Sequence, residues 1–186
     1  NDTYVTPTLF IGNTLTYLKQ VDHSNDEYLN YVGDGIIETY QGRIRSGLRA
    51  SEDYTNMRIN LNEAFVNLAP QLNEAGVTLL AGSDCGASNS YVYPGISLHQ
   101  ELQTMVNAGI PEIDALRAAT INGAKFLSVE NEFGSLKTGK AGDLLILNGN
   151  PLEDISQTKN ISTMVLQGKT YSREKMNEML KDQRKN

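Results

Sequence analysis

The run Leu79-Leu80-Ala81-Gly82-Ser83-Asp84 carries the strongest chemical signal in the chain. An apolar stretch ends in small residues and then an aspartate. In parallel α/β folds, functional groups gather at the C-terminal ends of strands. A carboxylate placed there can ligate a metal and accept a proton from metal-bound water. The same residue can equally cap a turn. Beside it stands Cys85, the one cysteine. It reads either as a nucleophile with His99 as its base or as a small, partly buried side chain. The chain has two histidines, His23 and His99. His23 falls in a polar stretch and reads as a surface residue. His99 falls in the first turn of a helix past Asp84, where it either lines a pocket rim or packs. Gly134, Gly139 and Lys140 are spaced like a phosphate-binding loop, but Ala141 stands where a Ser or Thr should bind Mg²⁺. A strand rather than a helix follows, so nucleotide binding is rejected.

The elements that must position Asp84 are legible as patterns. Residues 4–10 are β-branched and aromatic and read as a short strand. Residues 14–31 are expected to be helical in part, and the Gly-rich stretch 34–47 gives no clear period. Over 60–75 the residues Leu61, Ala64, Phe65, Leu68 and Leu72 recur at helical spacing, and Gly76 ends the run. Residues 77–81 then form an apolar run of the length of a buried parallel strand. Ser97 is expected to cap the next helix with Gln100 three residues on, and Pro111 to start another. Asn122 should cap a further short helix. From Phe133 the character changes: glycines punctuate the chain, strands are expected at 143–147 and 161–166, and Gln167-Gly168 reads as a hairpin turn. Ser172 should cap a last helix.

Composition narrows the possible partners. The formal net charge is −6 and hydrophobic residues make up 39%. This is ordinary for a globular chain and disfavours nucleic acid or anionic membrane as partner. No run approaches the ~20 apolar residues of a membrane-spanning helix. A single cysteine allows no intrachain disulfide. The chain begins without Met and enters a β-type run almost at once, so it is expected to be a piece of a longer protein.

Several of these motifs, taken in order, resemble the amidohydrolase superfamily of metal-dependent hydrolases, in the style of its imidazolonepropionase-like and prolidase-like members. Residues 74–84 are similar to its last barrel strand and residues 4–9 to the strand before. Ser97-Leu98-His99-Gln100-Glu101-Leu102, the stretch 115–124, Gly139-Lys140-Ala141-Gly142-Asp143 and Asn150-Pro151-Leu152 also look like the family. The resemblance implies a (β/α)8 barrel beside a small β-sandwich. It also implies one or two divalent metals, zinc above all, held by histidines and an aspartate at the barrel's C-terminal face. Asp84 matches that aspartate as metal ligand and catalytic proton acceptor. The histidine ligands have no match here, so the remaining ligands lie outside this chain. Tyr91 and His99 are the candidate substrate contacts, from a loop that would lie over the barrel mouth.

The expected class is therefore α/β. Residues 1–132 would be the C-terminal part of the barrel, 133–171 β-sandwich strands, and 172–186 a helix and tail. The expected activity is hydrolysis of a C–N bond in a cyclic amide or dipeptide. The alternative is a non-catalytic half-barrel that serves binding or assembly. Expected partners are a small-molecule substrate and the missing N-terminal part, with a homo-oligomer left open.

Overall fold

The sheet that leads to Asp84 is small. In the computed structural model, which describes residues 3–86 and 88–183, β1 (Tyr4–Val5) pairs in parallel with β2 (Thr78–Leu79). Tyr4 faces Thr78 and Val5 faces Leu79. Between the two strands run α1 (Leu9–Thr16), two short 3₁₀ turns at Leu18–Gln20 and Glu27–Tyr31, α2 (Asp34–Leu48) and α3 (Glu52–Glu74). After β2 come α4 (Ile96–Asn107), α5 (Glu112–Ala118) and α6 (Ile121–Phe126). The chain then builds a second sheet, antiparallel, in the order β3 (Leu144–Leu147), β4 (Ile161–Leu166), β5 (Lys169–Ser172), and ends in α7 (Arg173–Lys181). The fold is mixed α/β. Among the described residues no helix is long and apolar enough to cross a membrane. The last three residues of the tail expected at 172–186 lie outside the described residues.

Two buried clusters hold the chain together. The larger sits where β2 meets α1, α3, α4 and α5, with Leu9, Ala69, Leu79, Leu102, Met105 and Ala115 at its centre. The smaller is aromatic, with Leu18, Tyr40, Tyr91 and Tyr93 at its centre. Ile36, Tyr40 and Ile44 lie at four-residue spacing on α2 and face it. That packing makes 34–48 a helix although Gly35, Gly42 and Gly47 lower its intrinsic propensity.

Helix α3 departs from the sequence expectation in two ways. It begins at Glu52, because Ser51 caps it through Tyr54 N–H at 3.2 Å and Glu52 and Asp53 sit in its first turn. Its expected core face is also largely bare. Leu61, Phe65 and Leu68 are 41%, 54% and 43% exposed, while Asn62 and Ala69 are buried. Tyr54 and Met57 extend the bare stripe along the helix. The apolar residues cover more of the helix surface than α1 and α4 can bury.

Caps also moved. Gly95 is the N-cap of α4, and Ser97 instead takes the Tyr93 N–H at 2.8 Å and bonds Gln100 Oε1 at 2.9 Å. Thr120 precedes α6 as its N-cap, and Asn122 turns back to donate to the Leu79 carbonyl at 2.9 Å, tying α6 to β2. Ser172 caps α7 through Lys175 N–H, as expected.

Gly134 has φ +82, and a Cβ there would meet Ala124 Cβ at 2.7 Å and the Ile121 backbone at 2.9 Å. Gly139 has φ +89 and open space around it. Gly139→Ala is therefore expected to cost about 1–2 kcal/mol from backbone conformation alone. Gly134→Ala adds an overpacking cost of about 1–3 kcal/mol. Urea unfolding of the two variants measures the difference, and equal losses would show that the Ala124 contact relaxes freely.

Candidate functional site

Asp84 lies five residues past the end of β2, on a turn that is firmly held. Leu80 N–H donates to Val5 O at 2.8 Å and Ala81 N–H to Ala118 O at 3.0 Å, which carries the chain straight out of the strand. Gly82 follows, and a Cβ there would sit 2.7 Å from Thr6 Cγ2. Only a hydrogen fits between the two segments. Asp84 then adopts φ +49, and its carbonyl accepts from Asn89 Nδ2 at 2.6 Å. The residue is exposed and lines a cavity of about 360 Å³ with Pro7, Thr8, Leu9, Arg58 and Asn89.

Another wall of that cavity is the turn into α1, and a fully buried glutamate holds it. Thr8 is left-handed, φ +47, and provides no side-chain cap. The cap comes instead from α4: Leu9 N–H donates to Glu101 Oε1 at 2.9 Å and Phe10 N–H to Oε2 at 2.6 Å. The first amides of a helix have no partner within it, and a carboxylate also suits its positive end. Burial raises the Glu101 pKa above the ordinary glutamate value, and the two amides offset only part of that rise. Glu101 was legible in part, since Leu98, Glu101, Leu102 and Met105 share one helix face and a charge on an apolar face needs a partner.

The other candidate residues lie elsewhere. Tyr91 is buried, has φ +62, and stacks on His23 with ring centroids 3.7 Å apart. It packs on Tyr40 at 5.0 Å. Tyr93 donates its hydroxyl to Asp26 Oδ2 at 2.7 Å, and burial with that bond pushes its pKa far up. His23 is thus partly buried rather than fully exposed. Its Nε2 is buried without a partner, and burial lowers its pKa, against the pull of Asp26 and Asp22. His99 sits half-buried near Lys159. Burial first and Lys159 second lower its pKa. Neither Tyr91 nor His99 lines the cavity of Asp84. Cys85 is exposed. Lys140 is spent inside its own loop, donating to the Glu130 carbonyl and to Ser135 Oγ at 2.7 Å.

The donor set does not make a metal centre by itself. Among the described residues no three His, Cys, Asp or Glu gather where an ion could sit. Asp84 offers one carboxylate, whereas metal sites of the catalytic kind take three protein ligands.

Residues 19–171 match the family described as the amidohydrolase family, and the chain belongs to it. A Syntrophomonas wolfei 5-methylthioadenosine/S-adenosylhomocysteine deaminase is 29% identical over 135 residues, covering 70% of this chain and 30% of that protein. A Danio rerio protein named a probable imidazolonepropionase is 39% identical over 74 residues, 40% of this chain and 16% of its own length. A crystal structure of a Xaa-Pro dipeptidase with bound methionine superposes with a TM-score of 0.65 at 24% identity. It covers 91% of this chain and 34% of the dipeptidase. The chain thus spans less than a third of the curated relatives it matches.

Glu101 sets a pH dependence whose sign is fixed. Its folded pKa lies above its unfolded one, so the folded chain keeps the proton longer. Its stabilising contribution is fully present below the ordinary value of 4.5 and is lost as pH rises through the folded value. Glu101→Gln cannot ionise and should flatten that part of the stability profile in urea titrations across pH. An unchanged profile would show that Glu101 titrates normally. Glu101→Ala, which strips the acceptors from two amides, should cost at least about 1–3 kcal/mol.

Proposed function

We propose that this chain is the C-terminal part of a hydrolase of C–N bonds, with Asp84 as its proton acceptor. A water oxygen bonds to the carbonyl carbon of a cyclic amide or dipeptide and its proton passes to Asp84. The carboxyl returns that proton to the leaving nitrogen as the C–N bond breaks. The observation that carries this reading is the placement of Asp84. Asp84 is exposed and lines a cavity, in a left-handed turn just past a parallel strand, with the equally left-handed Thr8 in the same lining. Aspartate visits this region readily as a single residue, whereas threonine is disfavoured there. Membership of the amidohydrolase family supports it.

In this reading residues 1–132 are the C-terminal part of a (β/α)8 barrel, residues 133–171 are strands of a β-sandwich, and residues 172–186 are a helix and tail. The parallel β1–β2 pair and the bare stripe of α3 fit a barrel wall that continues into further polypeptide. Asp84 would serve as one ligand of a divalent metal, zinc in the resemblance, whose other ligands lie outside these residues. Tyr91 acts by shaping the loop after Asp84, and His99 remains the weaker substrate contact, on the far side of α4. The rival reading is a non-catalytic half-barrel that serves binding or assembly.

Two measurements test the hydrolase reading, and the second separates it from its rival. The chain alone should hold no stoichiometric Zn²⁺ after dialysis, since it offers a single carboxylate. Tightly bound zinc would mean a different ligand set. In the whole protein, Asp84→Asn should remove turnover by about 10²–10⁴-fold or more, the typical worth of general base catalysis. Asn caps turns about as well as Asp, so thermal unfolding should barely shift. Wild-type turnover in that variant would make Asp84 structural.

A further inference from the structure

Next to the Asp84 cavity lies a second one of about 520 Å³, and its charged residues are all cationic: Lys19, Arg43 and Arg58. The two cavities adjoin, since Leu15, Thr16 and Arg58 line both. In a chain of net charge −6, a cavity with three cations and no acid is a local reversal of sign. Lys19 Nζ is partly engaged, donating to Thr55 Oγ1 at 3.0 Å. Arg43 and Arg58 differ: among the described residues neither guanidinium has a hydrogen bond or an ion pair. Arg58 is moreover partly buried on α3, in the apolar stripe between Met57 and Leu61. The rest of the wall includes Leu15, Leu18 and Ile44, which are apolar.

We infer that this cavity binds the carboxylate of the substrate, with Arg58 and Arg43 as its anchors. The inference rests on the proposed hydrolase reading and names the substrate class: a molecule with an anionic end and an apolar body, whose scissile C–N bond reaches the Asp84 cavity. Planar guanidinium groups match a carboxylate through paired N–H donors, and an apolar wall accommodates the body beside it. Lys19 adds a point charge, and the Ser46 hydroxyl supplies a neutral donor at the same wall, whereas the Thr55 hydroxyl already donates to the Ser51 carbonyl at 3.0 Å. Arg58, shared by both cavities, fixes the distance between the anionic end and the reacting end.

The test is a titration of the ¹⁵N-labelled chain followed by amide chemical shifts. The probe is N-acetyl-leucine, with N-acetyl-leucinamide as neutral control and inorganic phosphate as a second anion. The acid should shift the amides of Ser46, Gly47 and Thr55 saturably, and the neutral amide should not. Arg58→Gln should weaken binding about tenfold, the scale of one hydrogen bond to a charged group. Arg43→Gln is exposed and cannot unfold the chain by burial. It should weaken binding too, and added salt should do the same. Equal binding of acid and neutral amide would overturn the inference and needs no variant. Unchanged affinity in both Arg variants would also overturn it, and phosphate binding tighter than the acid would make this a phosphate site instead. Binding is read without turnover, so its failure leaves the Asp84 assignment standing. A fully active Asp84→Asn would equally leave the binding result standing.

Discussion

The Glu101 carboxylate is the one contact on which the rest of the arrangement depends. It is wholly buried, it has no cationic partner among the described residues, and both its oxygens end on backbone amides of another helix. A hydrogen bond to a charged group is worth more than a neutral one, and a buried charge without partners is worth strongly negative stability. The two amides and the carboxylate therefore need each other. Their pairing fixes where α1 starts, and that start fixes Thr8. From Thr8 the constraint runs back to Thr6, whose methyl fills the space against Gly82, and from Gly82 forward to Asp84. The two segments that wall the cavity are thus joined twice, once by a buried charge and once by a glycine with no room for a methyl group.

This dependence explains what the sequence could and could not show. The path out of β2 was legible, because an apolar run ending in small residues and an aspartate has few structural readings. The antiparallel strands after Phe133 were legible for the same kind of reason: glycines and a Gln-Gly turn mark their limits. Helix α2 was not, because its glycines argue against it locally and only the aromatic cluster, formed from distant residues, argues for it. Residues 4–10 gave a strand where the chain makes a strand of two residues and then a helix. The helix there begins at Leu9 because Glu101, far along the chain, supplies its cap.

The periodicity of α3 shows a second limit. Spacing tells which residues share a face, and it did so correctly for Leu61, Phe65 and Leu68. It does not tell whether anything covers that face. In this chain the buried side of α3 is set by α1, through the close approach of Gly12 to Asn62, and the apolar stripe lies on the neighbouring side. Arg58 interrupts that stripe. A charge inside an apolar pattern is visible in sequence, as with Glu101, but only the folded chain shows that Glu101 caps a helix while Arg58 lines a cavity.

The parallel pairing of β1 with β2 has a consequence for how the chain reaches its structure. Tyr4 must find Thr78, and every residue of α1, α2 and α3 lies in the loop that this pairing closes. Closing so long a loop is an entropic cost met before the contacts return anything, and non-local pairings of this kind fold slowly. The three antiparallel strands at the other end need only neighbouring residues. On a ribosome the order is unfavourable: β1 emerges while its strand partner and the helix bearing Glu101 are still unmade. Until α4 has emerged, the amides of Leu9 and Phe10 have only water to bind, so this segment stays uncommitted until the helix bearing Glu101 is made.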